Sequence, residues 1–255
     1  MSGSSLKAVI FDVDGTLAET EETHRLAFNA AFEVFGFEFS WDQALYKDLL
    51  KVAGGKERVR HYLGLFHPDE LKRPDIDAII PALHKRKTAF YEEMLNAGRV
   101  ELRPGVARLI EELRSQGIAL GVATTTHQAN LKALLRNTLG ATGESLFDVM
   151  GCGEHAPLKK PAPDVYLHVL KELGQPPRNC IAIEDAEIGL RAARAALLPT
   201  VITVSPYTAG GHFSGAVAIL SDLGEPTEPF TVLEGNAHGR TYVTPDLLRQ
   251  WNGEA

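Results

Sequence analysis

Cysteine is scarce. The only two, Cys152 and Cys180, lie far apart and in no CxxC pattern, which is poor material for the disulfide scaffold of a secreted domain. A reducing compartment suits such a chain, and a cytoplasmic location is the expectation. Long apolar runs are lacking as well: none approaches the roughly 20 residues that a membrane-spanning helix needs. The start, Met1 to Lys7, has neither the basic-then-apolar order of a signal peptide nor the Arg-rich order of a transit peptide, although a transit segment already removed would leave no trace. Positive charge is in deficit, with Lys+Arg 26 against Asp+Glu 33 and a net charge of -7. Bulk attraction to nucleic acid or to an anionic membrane is therefore not expected, and any anionic ligand must be caught by a local group of cations. At 44% hydrophobic and 23% charged residues, disorder and collagen-like structure are excluded.

What is present is a recurrence of short apolar, β-rich runs: Ala8 to Phe11, Ile118 to Ala123, Phe147 to Met150, Cys180 to Ile183, Val201 to Val204 and Ala216 to Leu220. They lack polar alternation and are mostly separated by helical patterns. This predicts an α/β fold, a doubly wound parallel sheet buried on both faces, with ligands at the carboxyl ends of the strands. The spacing breaks once, because the stretch between the first and second strands is far too long for one crossover. Residues 22–95 read as helices instead: His24 to Phe35, Trp41 to Val52, Gly55 to Leu65 and Pro74 to Leu95, the last with Ile76, Ile79, Ile80, Leu83, Phe90 and Leu95 as its apolar face. The expected organisation is a core of residues 1–21 and 96–255 with an all-helical domain, 22–95, threaded into it. Pro104 is expected in the first turn of a helix running to Ser115 and ended by Gly117. The last thirty or so residues read as loop until Thr244-Pro245 opens a short final helix.

Chemistry-bearing residues gather at the strand ends. Asp12 and Asp14 follow the first strand two apart, so in extended chain both project to one side, and Gly15 permits a sharp turn after them. Thr124-Thr125-Thr126 closes the second strand, Lys160-Pro161 follows the third, and Glu184-Asp185 closes the fourth. Each alone is compatible with an ordinary turn, strand end or helix cap. Together, in order, they describe one site at the binding edge.

This ordered set resembles the haloacid dehalogenase superfamily of phosphohydrolases, over nearly all of the core from Leu6 to Leu220, with the helical insertion in the place of that family's cap domain. The resemblance implies that Asp12 is the nucleophile forming an aspartyl phosphate and that Asp14 is the acid/base. It implies that Thr124, the Thr125 N–H and Lys160 stabilise the transferring phosphoryl group. It also implies Mg²⁺ held by the Asp12 carboxylate, the Asp14 carbonyl, Asp185 and Glu184, an all-oxygen set. One departure is Ala186, where many relatives have Ser, which puts a hydrogen bond at the metal site in doubt. Another is Leu197-Leu198-Pro199 in place of a Gly-containing turn. Cys152 and His155 lack the second ligand pair that a closed zinc site requires.

A narrower resemblance, carried by Phe11 to Glu21, Trp41-Asp42, Tyr46, Gly54 to Arg58, Leu102 to Gly105 and Ala123 to Thr126, is to the CbbY-type phosphatases. It implies hydrolysis of xylulose 1,5-bisphosphate to xylulose 5-phosphate. The partner is then a small phosphorylated sugar, its second phosphate taken by Lys56 and Arg58 at the helix start after Gly54-Gly55, although the same residues also read as an ordinary solvated helix start. Glu21 and Tyr46 are expected to contact sugar hydroxyls or to orient the basic pair. His24 is expected in proton transfer or in packing, and His127 at the site or in solvent. β-Phosphoglucomutase-like transfer, phosphoglycolate hydrolysis and a non-catalytic sugar-phosphate sensor are the alternatives. A monomer is expected, since one chain can carry a whole site.

Overall fold

The run Ala8–Phe11 carries no polar side chain to face water, and in the computed structural model it is an inner strand, β1, buried along its whole length. The structure describes residues 6–52 and 54–254; of the polar start Met1 to Lys7, residues 1–5 lie outside the described residues. The chain divides into two compact units, Met1–Glu19 with Glu101–Ala255, and Thr20–Val100.

In the first unit β1 is joined by β2 (Ala119–Ala123), β3 (Val149–Gly151), β4 (Cys180–Glu184), β5 (Thr200–Thr203), β6 (Ala218–Leu220) and β7 (Val232–Gly235). Their order is β3-β2-β1-β4-β5-β6-β7. All pairs are parallel except β6–β7. The chain winds from β1 outward through β2 and β3, then returns to the other side of β1 with β4, so the direction of winding reverses between β1 and β4. Side chains at that reversal face a crevice at the carboxyl ends of the strands.

In the second unit four helices pack on one another: α1 (Glu21–Val34), α2 (Gln43–Leu49), α3 (Gly55–Phe66) and α4 (Ile76–Asn96). Phe28, Phe32, Trp41, Tyr46 and Tyr62 form its buried aromatic centre. Asn29 fixes Trp41 from both sides, donating to its carbonyl at 2.9 Å and accepting its N–H at 2.8 Å. The sheet of the first unit is flanked by α5 (Val106–Ser115), α6 (Gln128–Leu139), α7 (Asp164–Leu173) and α8 (Glu187–Ala195), and α9 (Pro245–Glu254) closes the chain. Their apolar residues recur at helical spacing, as in Val106, Leu109, Ile110 and Leu113 of α5, all buried.

Four expectations are corrected. The stretch read as loop contains β7, an edge strand whose four residues are all exposed; an unburied strand needs no apolar alternation, so no such pattern marked it. Pro104 precedes α5 rather than opening it, because Gly105 intervenes in a left-handed conformation, φ 81°, where a Cβ would overlap the Gly224 carbonyl. The helix expected over Trp41 to Val52 is only Gln43–Leu49, set by Asp42, whose carboxylate accepts the Leu45 N–H at 2.8 Å. On α4, which begins at Ile76 rather than Pro74, Lys87 and Tyr91 are buried while Ile79 and Phe90 are only half-buried. As expected, Thr244 caps α9, accepting from the Leu247 N–H at 3.2 Å.

The two connections to the helical unit leave the first unit side by side, Glu19 N–H donating to the Glu101 carbonyl and Ala18 bridging to Leu102. Arg103 binds this junction. Its buried guanidinium donates to the carbonyls of Gly15, Thr203, Val204 and Ser221 and pairs with Glu19 at 2.8 Å. Replacing it by an apolar residue leaves those carbonyls without donors. Arg103→Leu is expected to lower stability by about 3 kcal/mol, read as a lower urea midpoint; an unchanged midpoint would show that the junction holds without it.

Candidate functional site

Pairing of β1 with β4 sets Phe11 beside Ile183. The residues that follow, Asp12 and Glu184, therefore emerge together at the point where the winding reverses, and the Asp12 N–H is tied to the Ile183 carbonyl at 2.9 Å. Lys160, in the loop between β3 and α7, reaches the same place. Its Nζ donates to Asp12 Oδ1 at 2.6 Å, to Glu184 Oε1 at 2.6 Å and to the Ala123 carbonyl at 2.8 Å. Those three bonds satisfy every donor of the ammonium. Asp12, Glu184, Asp185 and Lys160 are all buried.

Two glycines make room for the acids. Gly15 turns with φ 79°, and a Cβ there would overlap the Asp185 carboxylate; a Cβ on Gly189, in α8, would overlap that of Glu184. Hydroxyls hold the carboxylates: Tyr166 donates to Glu184 Oε1 at 2.5 Å, Ser205 to Asp185 Oδ2 at 2.9 Å and Thr126 to Asp14 Oδ2 at 2.7 Å. Thr124 is buried and its Oγ1 accepts the Thr126 N–H at 3.0 Å, while Thr125 is half-buried. The Ser205 hydroxyl at Asp185 comes from beyond β5.

Burial pushes the Asp12 carboxyl up to about 7, with the Glu184 and Asp14 charges adding to it and Lys160 opposing. Burial by itself pulls Lys160 down, but Asp12 and Glu184 outweigh it and hold the ammonium above the ordinary lysine range. Tyr166 is raised well above its usual value by burial and by Glu184, so it stays a donor. Three buried acids, Asp12, Glu184 and Asp185, each offer an oxygen within 4.8 Å of the others. One lysine cannot neutralise them, and an all-carboxylate set of this size fits a hard divalent cation.

Among the residues expected to bind substrate, those in the helical unit form two groups. Tyr46 OH donates to Glu21 Oε2 at 3.1 Å and accepts from Arg58 at 3.1 Å, and Arg58 also donates to the Leu49 and Val52 carbonyls. Arg58 thus ties the start of α3 to α2. His24 stacks on Tyr91 at 4.0 Å, and its Nδ1 lies 2.6 Å from Lys87 Nζ. Gly55 opens α3 where a side chain would overlap the His84 ring. Lys56 is exposed, with no hydrogen bond or ion pair among the described residues. His127, exposed, pairs with Glu154 at 2.8 Å.

The haloacid dehalogenase-like hydrolase profile matches residues 6–196, which hold all four strand-end motifs. The chain belongs to that family. Among its relatives it is 47% identical to the plasmid-borne CbbY protein of Cupriavidus necator, over 97% of both chains. It is similar to the crystal structure of CbbY from Rhodobacter sphaeroides in complex with phosphate, at 40% identity, TM-score 0.77 and coverage of 85% of this chain and 94% of that one. A mutant form of the same protein in complex with xylulose-(1,5)bisphosphate aligns at 39% identity with the same TM-score and coverage. As a haloacid dehalogenase-like hydrolase of the CbbY group, the chain is a phosphatase.

Sequence reasoning missed Tyr166, Ser205, Gly189 and Lys87, and named Thr126 and Arg103 only within motifs, without a role. Lys87 had a legible signal: it stands four residues from both Leu83 and Tyr91, inside the buried stripe of α4. Tyr166 and Ser205 had none, because their partners lie 18 and 20 residues away. A raised Asp12 carboxyl favours the fold at low pH, and that contribution is lost as pH rises through about 7. A cation that needs the carboxylate must displace its proton below that pH. The affinity for a divalent cation, measured by calorimetry at pH 6 and pH 8, is expected to be about tenfold weaker at the lower pH; equal affinities would place the Asp12 proton elsewhere.

Proposed function

We propose that the protein is a Mg²⁺-dependent sugar-phosphate phosphatase whose substrate is xylulose 1,5-bisphosphate, hydrolysed to xylulose 5-phosphate. The observation that carries the reading is the buried Asp12 at the reversal of the sheet, held by Lys160 beside Glu184 and Asp185. The bisphosphate bound by the Rhodobacter protein supports the choice of sugar.

In this reading Asp12 attacks phosphorus and the bond from phosphorus to the sugar oxygen breaks, leaving an aspartyl phosphate. Asp14 gives its proton to the departing oxygen, then takes one from the water that cleaves the intermediate, so the enzyme returns to its starting state. The Thr124 hydroxyl and the Thr125 N–H donate to the transferring phosphoryl oxygens, and Lys160 balances the charge that builds there. Asp12, Glu184, Asp185 and the Asp14 carbonyl would hold Mg²⁺, which when bound offsets the repulsion between a carboxylate and a phosphate dianion. The helical unit selects the sugar: Lys56, exposed at the start of α3, takes the second phosphate, and Arg58, Tyr46 and Glu21 hold the α2–α3 region in place. Gly55 lets α3 begin there, and His24 with Lys87 supplies polar groups.

Phosphate release from xylulose 1,5-bisphosphate is expected to outpace any conversion of β-glucose 1-phosphate. Faster isomerisation of the glucose ester would make the protein a mutase, and tight binding without release from any sugar phosphate would make it a sensor. Asp12→Asn is expected to lower kcat by about three orders of magnitude or more, and persistent turnover in a stopped assay would rule out the aspartyl-phosphate route. Lys56→Ala is expected to raise KM about tenfold for the bisphosphate, some 1.4 kcal/mol, with little change for a hydrolysed sugar monophosphate, which has no second phosphate; parallel changes would remove Lys56 from the second-phosphate site.

A further inference from the structure

We propose that Tyr166 and Ser205 are positioning residues for the cation, each fixing the plane of one carboxylate before the cation arrives. The inference rests on the reading of Asp12, Glu184 and Asp185 as a cation site, and adds what sets that site's geometry.

Tyr166 lies in an otherwise apolar cluster with Ala8, Ile10, Ala123, Val165, Val169 and Ala182. A phenylalanine would fill that volume, and a buried hydroxyl without a partner destabilises the fold. Among the described residues its hydroxyl has one hydrogen-bond partner, Glu184 Oε1 at 2.5 Å. The polar atom is therefore accounted for by the carboxylate and by nothing else in the cluster. Lys160 holds the same oxygen at 2.6 Å, and Gly189 lies against the carboxyl group where a larger residue could not. Glu184 is thus gripped on one oxygen by two donors and cannot rotate away.

Asp185 is held by a parallel arrangement built from different elements. Ser205, buried in the loop after β5, donates to Oδ2 at 2.9 Å, and Gly15 backs that oxygen. Ser205 is fixed in turn by Thr208, whose Oγ1 accepts the Ser205 N–H at 2.9 Å and lies 3.0 Å from its hydroxyl. A donor already locked by its neighbour can orient an acceptor. In both cases a hydroxyl holds one oxygen of the carboxylate and a glycine lies against the same carboxyl group, where a side chain would overlap it.

A fixed pair of carboxylates matters most to a small ion that demands near-octahedral coordination, and least to a large one that accepts irregular shells. The test is direct titration of the full chain, without substrate, with Mg²⁺ and with Ca²⁺ by calorimetry, for the unaltered protein, Tyr166→Phe and Ser205→Ala, with the thermal midpoint recorded to confirm folding. Each variant is expected to bind Mg²⁺ about tenfold more weakly while Ca²⁺ affinity changes much less. Mg²⁺ affinity within twofold of the unaltered protein overturns the role of the residue concerned, as does an equal loss for both ions, the mark of general loosening. If the unaltered protein takes up neither ion, the cation reading itself falls, and the inference with it.

Discussion

The Lys160 ammonium enters a buried space shared by Asp12 and Glu184, with Asp185 and Asp14 close by. Carboxylates removed from water at this density repel one another and lose hydration, and they persist only where a counter-charge and hydrogen bonds replace what water gave. The fold supplies these from separate directions. β1 and β4 lie side by side so that two acids emerge together, the loop after β3 brings the lysine, α7 brings Tyr166, and the segment beyond β5 brings Ser205. Moving any of these strands by one position would turn its terminal side chain to the other face. The order of the sheet and the chemistry at its edge are therefore one constraint.

Burial raises the Asp12 carboxyl, the neighbouring acid charges add to it and Lys160 offsets only part of the effect; the surplus of acids over that one lysine is what fits a divalent cation. Lys160 also resolves an apparent conflict in charge. A chain of net charge -7 has no long-range attraction for an anionic sugar phosphate, so attraction must arise at close range. Buried Lys160 supplies positive charge inside the acidic cluster, where screening by salt is weak.

Within the helical unit, packing of Phe28, Phe32, Trp41 and Tyr62 leaves the polar residues of its start in defined places. The Glu21–Tyr46–Arg58 chain links α1, α2 and α3 through a single hydroxyl. Lys87 is buried on α4 with Phe28 and Tyr91 under its ammonium, at 4.9 and 5.1 Å from the ring centroids, and His24 at its tip. An amine inside an aromatic stripe is costly unless rings and imidazole receive it; the aromatic packing of this unit is what makes that lysine tolerable.

Local patterns determined a large part of this protein. The apolar runs marked six of the seven strands because a strand buried on both faces needs no polar alternation, and Asp12, Asp14, Thr124, Glu184 and Asp185, at or just past strand ends, with Lys160 in the loop after β3, marked the candidate site. β7 escaped because it is exposed, and Pro104 was misplaced because the turn at Gly105 answers to the backbone of Gly224, more than a hundred residues on. The partners of the acids escaped for the same reason. That Glu184 is held by Tyr166, Asp185 by Ser205 and Asp14 by Thr126, and that Arg103 binds the two connections to the inserted helices, are facts of distance through space. Sequence determined which residues carry charge and at which strand ends they stand; only the packing of the sheet decided which hydroxyls and glycines surround them, because those contacts join segments with no regular spacing along the chain.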